Sequence, residues 1–301
     1  MRLTRATRVL ITGASGALGW TIARRLADRC QVTGTYLTHP CLPEGTVGAR
    51  LDLADGASIE QVFRSSCPDV VIHAAATSDP DACERDPALA LRINFEATAE
   101  LAALARDGGS RLIFVSTDLV FDGAKGDYSE EDPAHPLSTY SVSKLRAEEA
   151  TLAADAGNLV LRSALIYGSG SPASGTFLAR MLEALAEDRV VRLFTDQRRS
   201  PVLAEDLAEG ATLAIEKDLA GLYHLGGAEA LSRYEFGQQV CRVFGYRGDL
   251  LVPVKMADFA APARRPLDAT LDSSKFRGRA GFSPCGVREG LRRLREARSL
   301  D

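Results

Sequence analysis

The sequence predicts an α/β fold in which a doubly wound parallel sheet is followed by a smaller C-terminal lobe. Two observations carry this prediction: short β-branched runs alternate with helix-like stretches in the first half of the chain, and the pattern loosens beyond about residue 166. A strand, a helix and a second strand in succession are typical of parallel strands joined by right-handed crossovers.

The alternation can be followed from the first strand to the last. The predicted strands, each with the helix after it, are 8–12 with 18–28, 31–36 with 59–65, 70–74 with 88–106, and 112–116 with 139–154, before a last strand at 159–163. These elements predict a sheet domain over residues 1–165.

The remainder of the chain is less regular. A glycine- and serine-rich loop at 168–175 and a helix at 177–188 lead into segments rich in proline, glycine and arginine. We therefore predict a smaller lobe over residues 166–301. Parts of about 200–226, namely 202–215 and 221–225, are expected to return to the main sheet.

Composition narrows the class of protein. Apolar residues make up 46% of the chain and charged residues 25%, which is typical of a packed globular protein and not of a disordered one. The net charge of -4 gives no long-range attraction to nucleic acid or to an anionic membrane, so we expect a small-molecule partner and neither of those two. No run approaches the ~20 apolar residues of a membrane span, and the N-terminus does not match a signal peptide. A cytoplasmic protein is expected.

Cysteines and carboxylates predict no metal site. The six cysteines show no C-x-x-C spacing, so neither a zinc site nor a disulfide framework is expected, and buried thiols are the simpler interpretation. The adjacent Glu130, Glu131 and Asp132 form a solvated loop more readily than a metal site, because neighbouring carboxylates do not converge by themselves.

A glycine-rich turn connects the first predicted strand to the first helix. Its glycines have the spacing G-x-x-G-x-x-G, which lets the backbone turn tightly and approach a pyrophosphate. The N–H groups and dipole at the helix N-terminus would attract the negative charge. The turn therefore predicts a dinucleotide site, and its cofactor-binding residues are Gly13, Ser15, Gly16, Ala17, Leu18 and Gly19.

The second predicted strand bears on which dinucleotide binds. A carboxylate that binds the ribose 2′-hydroxyl of NAD is expected about 20 residues after the glycines, but residues 33–39 contain no Asp or Glu. Because no carboxylate there would repel a 2′-phosphate, the segment favours NADP(H). It contains no arginine to hold that phosphate either, so NAD(H) stays open.

A tyrosine and a lysine form the candidate proton-transfer pair. Tyr140 and Lys144 lie four residues apart at the start of a predicted helix, which places both side chains on one face. A neighbouring ammonium favours the phenolate and lowers the pKa of a tyrosine. The hydroxyls at the end of the strand before this helix, Ser116 and Thr117, could hydrogen-bond a carbonyl oxygen. The alternative is an ordinary pair on the surface of a helix.

With both motifs in place, the chain resembles an extended short-chain dehydrogenase, and within that family most closely the dTDP-4-dehydrorhamnose reductase (RmlD) group. The segments that carry the resemblance are 115–123, 128–133, 136–144 and 265–275. It implies a Rossmann-type fold and the NAD(P)H-dependent reduction of a keto group on a nucleotide-linked sugar. A homodimer is implied by the resemblance alone.

The resemblance also implies roles for single residues. Thr117 takes the position of the substrate-orienting hydroxyl, Tyr140 that of the general acid and Lys144 that of the group that binds the nicotinamide ribose. The residues implied to line the rest of the cofactor site are Asp52 and Leu53 beside the adenine, and Ala74, Ala75 and Ala76 along the dinucleotide. Asp118 and Arg265 are the candidates for substrate binding, although solvated pairing is the simpler reading of the arginines at 198, 199, 264 and 265.

Two departures leave the substrate open. The rhamnose reductases usually carry an aromatic residue where this chain has Leu119, and a tryptophan where it has Leu165. A reductase or epimerase acting on another carbonyl or sugar nucleotide is therefore one alternative. A second is a non-catalytic regulator, because the regulatory subunit of methionine adenosyltransferase resembles the same group.

Overall fold

The computed structural model describes residues 1–171 and 175–298, and it has helices on both faces of a parallel sheet. Part of the predicted loop at 168–175, residues 172–174, lies outside the described residues. The strands of the main sheet are β1 (Arg8–Thr12), β2 (Gln31–Tyr36), β3 (Thr46–Arg50), β4 (Val70–His73), β5 (Arg111–Thr117), β6 (Leu159–Ser163) and β11 (Gly221–Leu225). The shorter strands outside it are β7 (Ile166–Tyr167), β8 (Val191–Phe194), β9 (Arg198–Arg199), β10 (Val202–Leu203), β12 (Leu231–Ser232) and β13 (Leu251–Val254).

The helices alternate with these strands as the sequence predicts. They are α1 (Ala17–Leu26), α2 (Gly56–Ser66), α3 (Pro80–Arg85), α4 (Pro87–Leu91), α5 (Ala97–Asp107), α6 (Thr139–Ala154), α7 (Phe177–Ala186), α8 (Ala204–Glu216), α9 (Arg233–Phe244), α10 (Ser274–Ala280) and α11 (Val287–Arg298). The single helix predicted at 88–106 is divided into α4, a π-helical turn at Arg92–Glu96 and α5. No helix in the described ranges is long and apolar enough to cross a membrane.

The seven strands of the main sheet run in the order β11-β6-β5-β4-β1-β2-β3, and every pairing between them is parallel. The order reverses between β1 and β4, which is the point where doubly wound sheets bind ligands at the carboxyl ends of their strands. The predicted fold class, a Rossmann-type doubly wound sheet, is confirmed.

Two apolar layers hold helices on the two faces of this sheet. On one face, α1 and α8 bury Ile22 and Leu207 in the same cluster as Ile11 of β1. On the other face, α2 and α5 bury Phe63 and Leu101 in the same cluster as Leu10 and other residues of the sheet. The alternation of Leu10 and Ile11 between opposite faces follows from the two-residue period of a strand.

Of the two segments expected to return to the main sheet, 202–215 does not join it as a strand. Only Val202 and Leu203 are extended there, and they pair with β7 outside the main sheet, while 204–216 forms α8. Glu205 and Asp206 in its first turn suit a helix N-terminus. The segment 221–225 joins the sheet as β11, beside β6.

A second apolar core lies in the C-terminal part of the chain. It joins Tyr167, Leu193, Phe236 and Leu251, with Leu291 from α11. The chain enters this core at β7 and returns to the sheet at β11, so the division into residues 1–165 and 166–301 stays a prediction.

Candidate active site

The glycine turn after β1 is held in a conformation that needs glycine. Gly13 has φ +69°, and a Cβ atom on it would lie 2.9 Å from the Cα atom of Ala75. A Cβ atom on Gly19 would overlap the carbonyl oxygen of Gly13. Gly16 caps α1 without any side-chain hydrogen bond, so the N–H groups of the first helical turn, from Ala17 to Gly19, have no partner within the helix. The turn and helix start therefore fit a pyrophosphate.

A buried chain of hydrogen bonds fixes this turn against the next strand. The Thr12 hydroxyl accepts from the backbone N–H groups of Ala74 and Ala75, each at 3.1 Å, and lies 2.7 Å from Nδ1 of His73. The other ring nitrogen of His73 lies 3.0 Å from the Thr98 hydroxyl. Burial, with a smaller effect of Lys144, lowers the pKa of His73 to about 3. His73 is thus a neutral core residue that holds Ala74 and Ala75 beside the glycine turn.

Tyr140 and Lys144 lie where the sequence predicts them, in the first turns of α6. Ser138 caps this helix by accepting from the N–H of Ser141. Both side chains are buried, at 8% exposed for Tyr140 and 3% for Lys144. The Lys144 ammonium donates to the carbonyl oxygen of Val115 on β5 at 2.8 Å and lies 3.9 Å from the centre of the Phe114 ring.

Burial dominates the ionisation of this pair. It raises the pKa of Tyr140, against the opposing effect of the Thr117 hydroxyl. It lowers the pKa of Lys144 to about 7, against the opposing charge of Glu148. The net shift in the pKa of Tyr140 is therefore opposite to the expected lowering, because desolvation of the phenolate outweighs the neighbouring groups.

Glu148 links α6 to the two strands in front of it. Its carboxylate accepts from Ser116 on β5 and from Nη2 and Nε of Arg162 on β6, the last two at 2.7 and 3.0 Å. Glu148 and Arg162 are both buried. Lys144 lies one helical turn before Glu148, and the charge of Glu148 favours the ammonium form of Lys144.

Thr117 and Asp118 end β5 beside Tyr140. The Thr117 hydroxyl accepts from the N–H of Leu119 and lies 3.2 Å from Oδ1 of Asp118. The other carboxylate oxygen of Asp118 forms an ion pair with Arg199 at 2.8 Å, and both side chains are buried. Burial raises the pKa of Asp118, and Arg199 opposes this.

Further guanidinium groups accompany Arg199. Arg233 lies over the Phe177 ring, 4.6 Å from its centre, and donates to Gln197 at 2.9 Å. Burial, and then the charge of Arg199, lower the pKa of Arg233 to about 9. Nε of Arg199 and Nη1 of Arg233 are buried without a hydrogen-bond partner in the described ranges. Arg265, predicted to bind substrate, is paired with Asp81 at 2.7 Å.

An open cavity of about 260 Å³ lies beside Arg265. Phe194 and Phe259 contact each other edge to face in its wall, with ring centres 5.6 Å apart, and Met256 and Arg264 also line it. Neither Arg233 nor this cavity was predicted from the sequence, since both depend on contacts between segments far apart in the chain.

The residues expected to border the adenine lie near the same edge of the sheet. Asp52 and Leu53 follow β3, and the Asp52 carboxylate accepts from the N–H of Ala54. Ala76 continues the chain from Ala75 after β4. Within the described residues no cluster of His, Cys, Asp and Glu could hold a metal ion.

Comparison with known proteins points to one family. The family model described as "RmlD substrate binding domain" matches residues 7–299. The chain is 32% identical over 294 residues to the probable low-salt glycan biosynthesis reductase of Haloferax volcanii, which covers 95% of this chain and 97% of that protein. It is 33% identical over 285 residues to the dTDP-4-dehydrorhamnose reductase of Streptomyces griseus, with 92% and 89% covered. Among solved structures, dTDP-4-dehydrorhamnose reductase of Bacillus anthracis in complex with NADP has a TM-score of 0.85 at 25% identity, with 97% and 99% covered.

A protein of a different kind is similar at nearly the same level. Methionine adenosyltransferase 2 subunit beta of Danio rerio is 30% identical over 278 residues, which covers 89% of this chain and 84% of that protein. Similarity of this size therefore extends both to reductases and to a subunit of another enzyme.

Proposed function

The chain belongs to the RmlD substrate-binding-domain family, and we propose that it is an NAD(P)H-dependent oxidoreductase that reduces a keto group on a nucleotide-linked sugar. One observation carries the proposal. Tyr140, Thr117 and Lys144 are buried together at the carboxyl end of β5, on the same edge of the sheet as the glycine turn that follows β1.

The residues present fit a dinucleotide. A Cβ atom on Gly13 would meet Ala75, and Cβ atoms on Gly16 and Gly19 would meet the carbonyl oxygen of Gly13, so the turn is closely packed. The N–H groups at the start of α1 are available to a pyrophosphate. Ser15, Ala17 and Leu18 complete this turn, while Asp52, Leu53 and residues 74–76 would border the adenine and the dinucleotide. The bound NADPH or NADH would supply a hydride to the carbonyl carbon.

The side chains around Tyr140 suit its role as the acid in a reduction. Because burial raises the pKa of Tyr140, its hydroxyl carries a proton that it can donate to the carbonyl oxygen. The Thr117 hydroxyl beside it would hydrogen-bond the same oxygen and orient the substrate. The Lys144 ammonium, held by Val115 and by the charge of Glu148, would stabilise the phenolate that remains.

The arginines suit the diphosphate of a nucleotide sugar. Arg199 and Arg233 each have one buried N–H-bearing nitrogen without a hydrogen-bond partner in the described ranges, and a buried donor costs free energy unless it is hydrogen-bonded. The cavity lined by Arg264 and Arg265, with Phe194 and Phe259 in its wall, would take the base. Asp118 would then act by holding Arg199, whereas the proposed substrate contact of Arg265 requires it to share or leave Asp81.

The first test of this proposal is turnover by the whole protein. NADPH and NADH oxidation would be followed at about 340 nm with dTDP-, UDP- and GDP-linked 4-keto sugars for the wild type, for Tyr140→Phe and for Tyr167→Phe. Removing the general acid should lower kcat about 10²- to 10⁴-fold. Tyr167 is a matched control, because it is also a buried tyrosine and its hydroxyl has no partner in the described ranges. Equal activity in Tyr140→Phe and the wild type would contradict the proposal.

A regulatory role is the second candidate, because of the similarity to methionine adenosyltransferase 2 subunit beta. Retention of Tyr140, Lys144 and Thr117 favours the enzyme. Binding of dinucleotide without turnover on any sugar, together with co-purification with a larger enzyme, would favour the regulator.

A side chain close to Tyr140 bears on which sugar the protein would reduce. Leu119 packs in a small cluster with Tyr140 and Cys83, so its difference from the aromatic residue of the rhamnose reductases lies beside the reacting group. We propose a 4-keto sugar nucleotide as the substrate class, with dTDP-4-dehydrorhamnose as its first member to test. A cytoplasmic location, a homodimer and the absence of nucleic-acid and membrane partners complete the proposal.

A further inference from the structure

An arginine lies beside the position that distinguishes NAD from NADP in doubly wound sheets. That position is the end of β2, where a carboxylate would bind the ribose hydroxyls. β2 ends here at Tyr36, and β3 pairs with it so that Arg50 is the register partner of Tyr36. Both residues are the last of their strands, at the carboxyl edge of the sheet.

Tyr36 and Arg50 lie on the face of the sheet that carries the glycine turn. Gly34 and Gly48, two residues before them, are also register partners, and side chains two residues apart share a face. A Cβ atom on Gly34 would lie 2.8 Å from the Cβ atom of Ala14 in the turn. A Cβ atom on Gly48 would lie 3.5 Å from the Tyr36 ring. The Arg50 side chain therefore starts from the face on which the adenosine end of a dinucleotide would lie.

The charge of Arg50 is not used elsewhere in the structure. Arg50 is exposed, and its side chain forms no hydrogen bond or ion pair with any residue in 1–171 or 175–298. The carboxylate closest to it in sequence, Asp52, accepts from the N–H of Ala54 in the turn after β3. By contrast, Arg92 near this edge is paired with Glu100 at 2.7 Å.

We propose that Arg50 binds the 2′-phosphate of NADP(H) and makes the protein prefer this cofactor over NAD(H). The proposal rests on the proposed dinucleotide site and adds the residue that selects between the two forms. A guanidinium can donate two parallel hydrogen bonds to a phosphate, and no carboxylate in 33–39 would repel that phosphate. The role of this arginine was not predicted from the sequence, because Arg50 lies 14 residues beyond Tyr36 and becomes its neighbour only through the pairing of β3 with β2.

The contribution of the 2′-phosphate to affinity can be measured by comparing the binding of two mononucleotides to the whole protein. Calorimetric titration with 2′,5′-ADP and with 5′-AMP would be compared for the wild type, Arg50→Gln and Arg50→Lys. We expect Arg50→Gln to bind 2′,5′-ADP about 10- to 100-fold more weakly and 5′-AMP unchanged, because it loses only charge-assisted hydrogen bonds to the phosphate. Arg50→Lys should bind 2′,5′-ADP with an affinity between those of the wild type and Arg50→Gln, since lysine keeps the charge but cannot donate two parallel hydrogen bonds.

A second arginine provides the matched control. Arg5 is exposed, its side chain has no partner in the described ranges, and it precedes β1 at the opposite edge of the sheet. Arg5→Gln should leave both affinities unchanged. The ratio of kcat/KM for NADPH and NADH should fall in Arg50→Gln by the same factor as the nucleotide ratio.

The outcomes separate this proposal from the proposed function. Unchanged binding of 2′,5′-ADP in Arg50→Gln, or an equal loss for both nucleotides, would overturn the role of Arg50 while the dinucleotide site stands. Failure of the wild type to bind either nucleotide would overturn the dinucleotide site as well.

Discussion

Burial favours the neutral form of both Tyr140 and Lys144. Desolvation penalises the charged form of any group, so it raises the pKa of the phenol and lowers that of the ammonium. For Tyr140 this preserves the proton that a general acid must donate. For Lys144 it opposes the charge that the proposed mechanism uses, and Glu148 is the group that restores part of it. The buried Glu148–Arg162 pair therefore has a role at the site besides joining α6 to β5 and β6.

Lys144 should make the stability of the protein depend on pH. Its pKa is about 7 in the folded protein and 10.5 when exposed, so the unfolded chain binds more protons between these values. Stability from this group is complete above about pH 10.5 and is lost as the pH falls to about 7. Urea denaturation at several pH values should show wild type gaining stability relative to Lys144→Met as the pH rises through this range. A difference between the two proteins that does not change with pH would contradict the lowered pKa.

At the scale of elements, the strands and helices that are predicted best are those whose own sequence carries the signal. The strands 8–12, 31–36 and 159–163 and the helix 139–154 are found with the predicted bounds, because the strands are rich in apolar or β-branched residues and Ser138 caps the helix. β3 was not predicted, since Val47 is the single large apolar residue of Thr46–Arg50 and is exposed at the edge of the sheet. The helix predicted at 88–106 is interrupted by a π-helical turn that brings Asn94 into hydrogen bonds with Thr77 and Ser143.

The candidate site likewise has parts that the sequence predicts and parts that it does not. The glycine turn and the Tyr140–Lys144 pair are local patterns, and the structure places both at one edge of the sheet. The ion pair between Asp118 and Arg199 joins residues about eighty positions apart, and Arg50 meets Tyr36 only through the missed strand β3. Contacts of this kind depend on the tertiary fold, so a single sequence does not reveal them.

The glycine turn offers a test in which the strain of the backbone and the steric contact are separated. Gly13 and Gly109 have nearly the same φ, +69° and +68°, but a Cβ atom on Gly109 would meet nothing within 4 Å. Gly109→Ala should cost about 1 kcal/mol from the left-handed backbone alone. Gly13→Ala adds the contact with Ala75, so it should be destabilised further and should lose affinity for 2′,5′-ADP.

Thermal unfolding and calorimetric titration of the two glycine variants would measure these effects. Equal destabilisation, with nucleotide binding kept in both, would show that the turn tolerates a side chain and would contradict its close approach to the cofactor.

At the scale of the whole molecule, the sheet is completed by parts of the chain far beyond residue 165. β11 covers the edge of β6, and α8 packs against α1 on one face. Phe276 of α10 is fully buried in the apolar cluster that also contains Ile22 and Leu207, and it contacts Tyr223 of β11 edge to face. The predicted division at 165 and 166 thus separates residues that share one apolar core.

This interdependence predicts that residues 1–165 do not fold on their own. The fragment lacks α8, β11 and α10. Side chains from these elements bury Ile11, Ile22 and Leu161, and without β11 the strand β6 would become an open edge of the sheet. A full-length Phe276→Ala variant should lose about 3 to 5 kcal/mol of unfolding free energy for the same reason. Circular dichroism of the 1–165 fragment should show no cooperative thermal transition, whereas Phe276→Ala should keep one at a lower temperature. A cooperative transition in the fragment would mean instead that the first six strands of the sheet and the helices between them form an independent unit, and that the C-terminal half is added to a domain already complete.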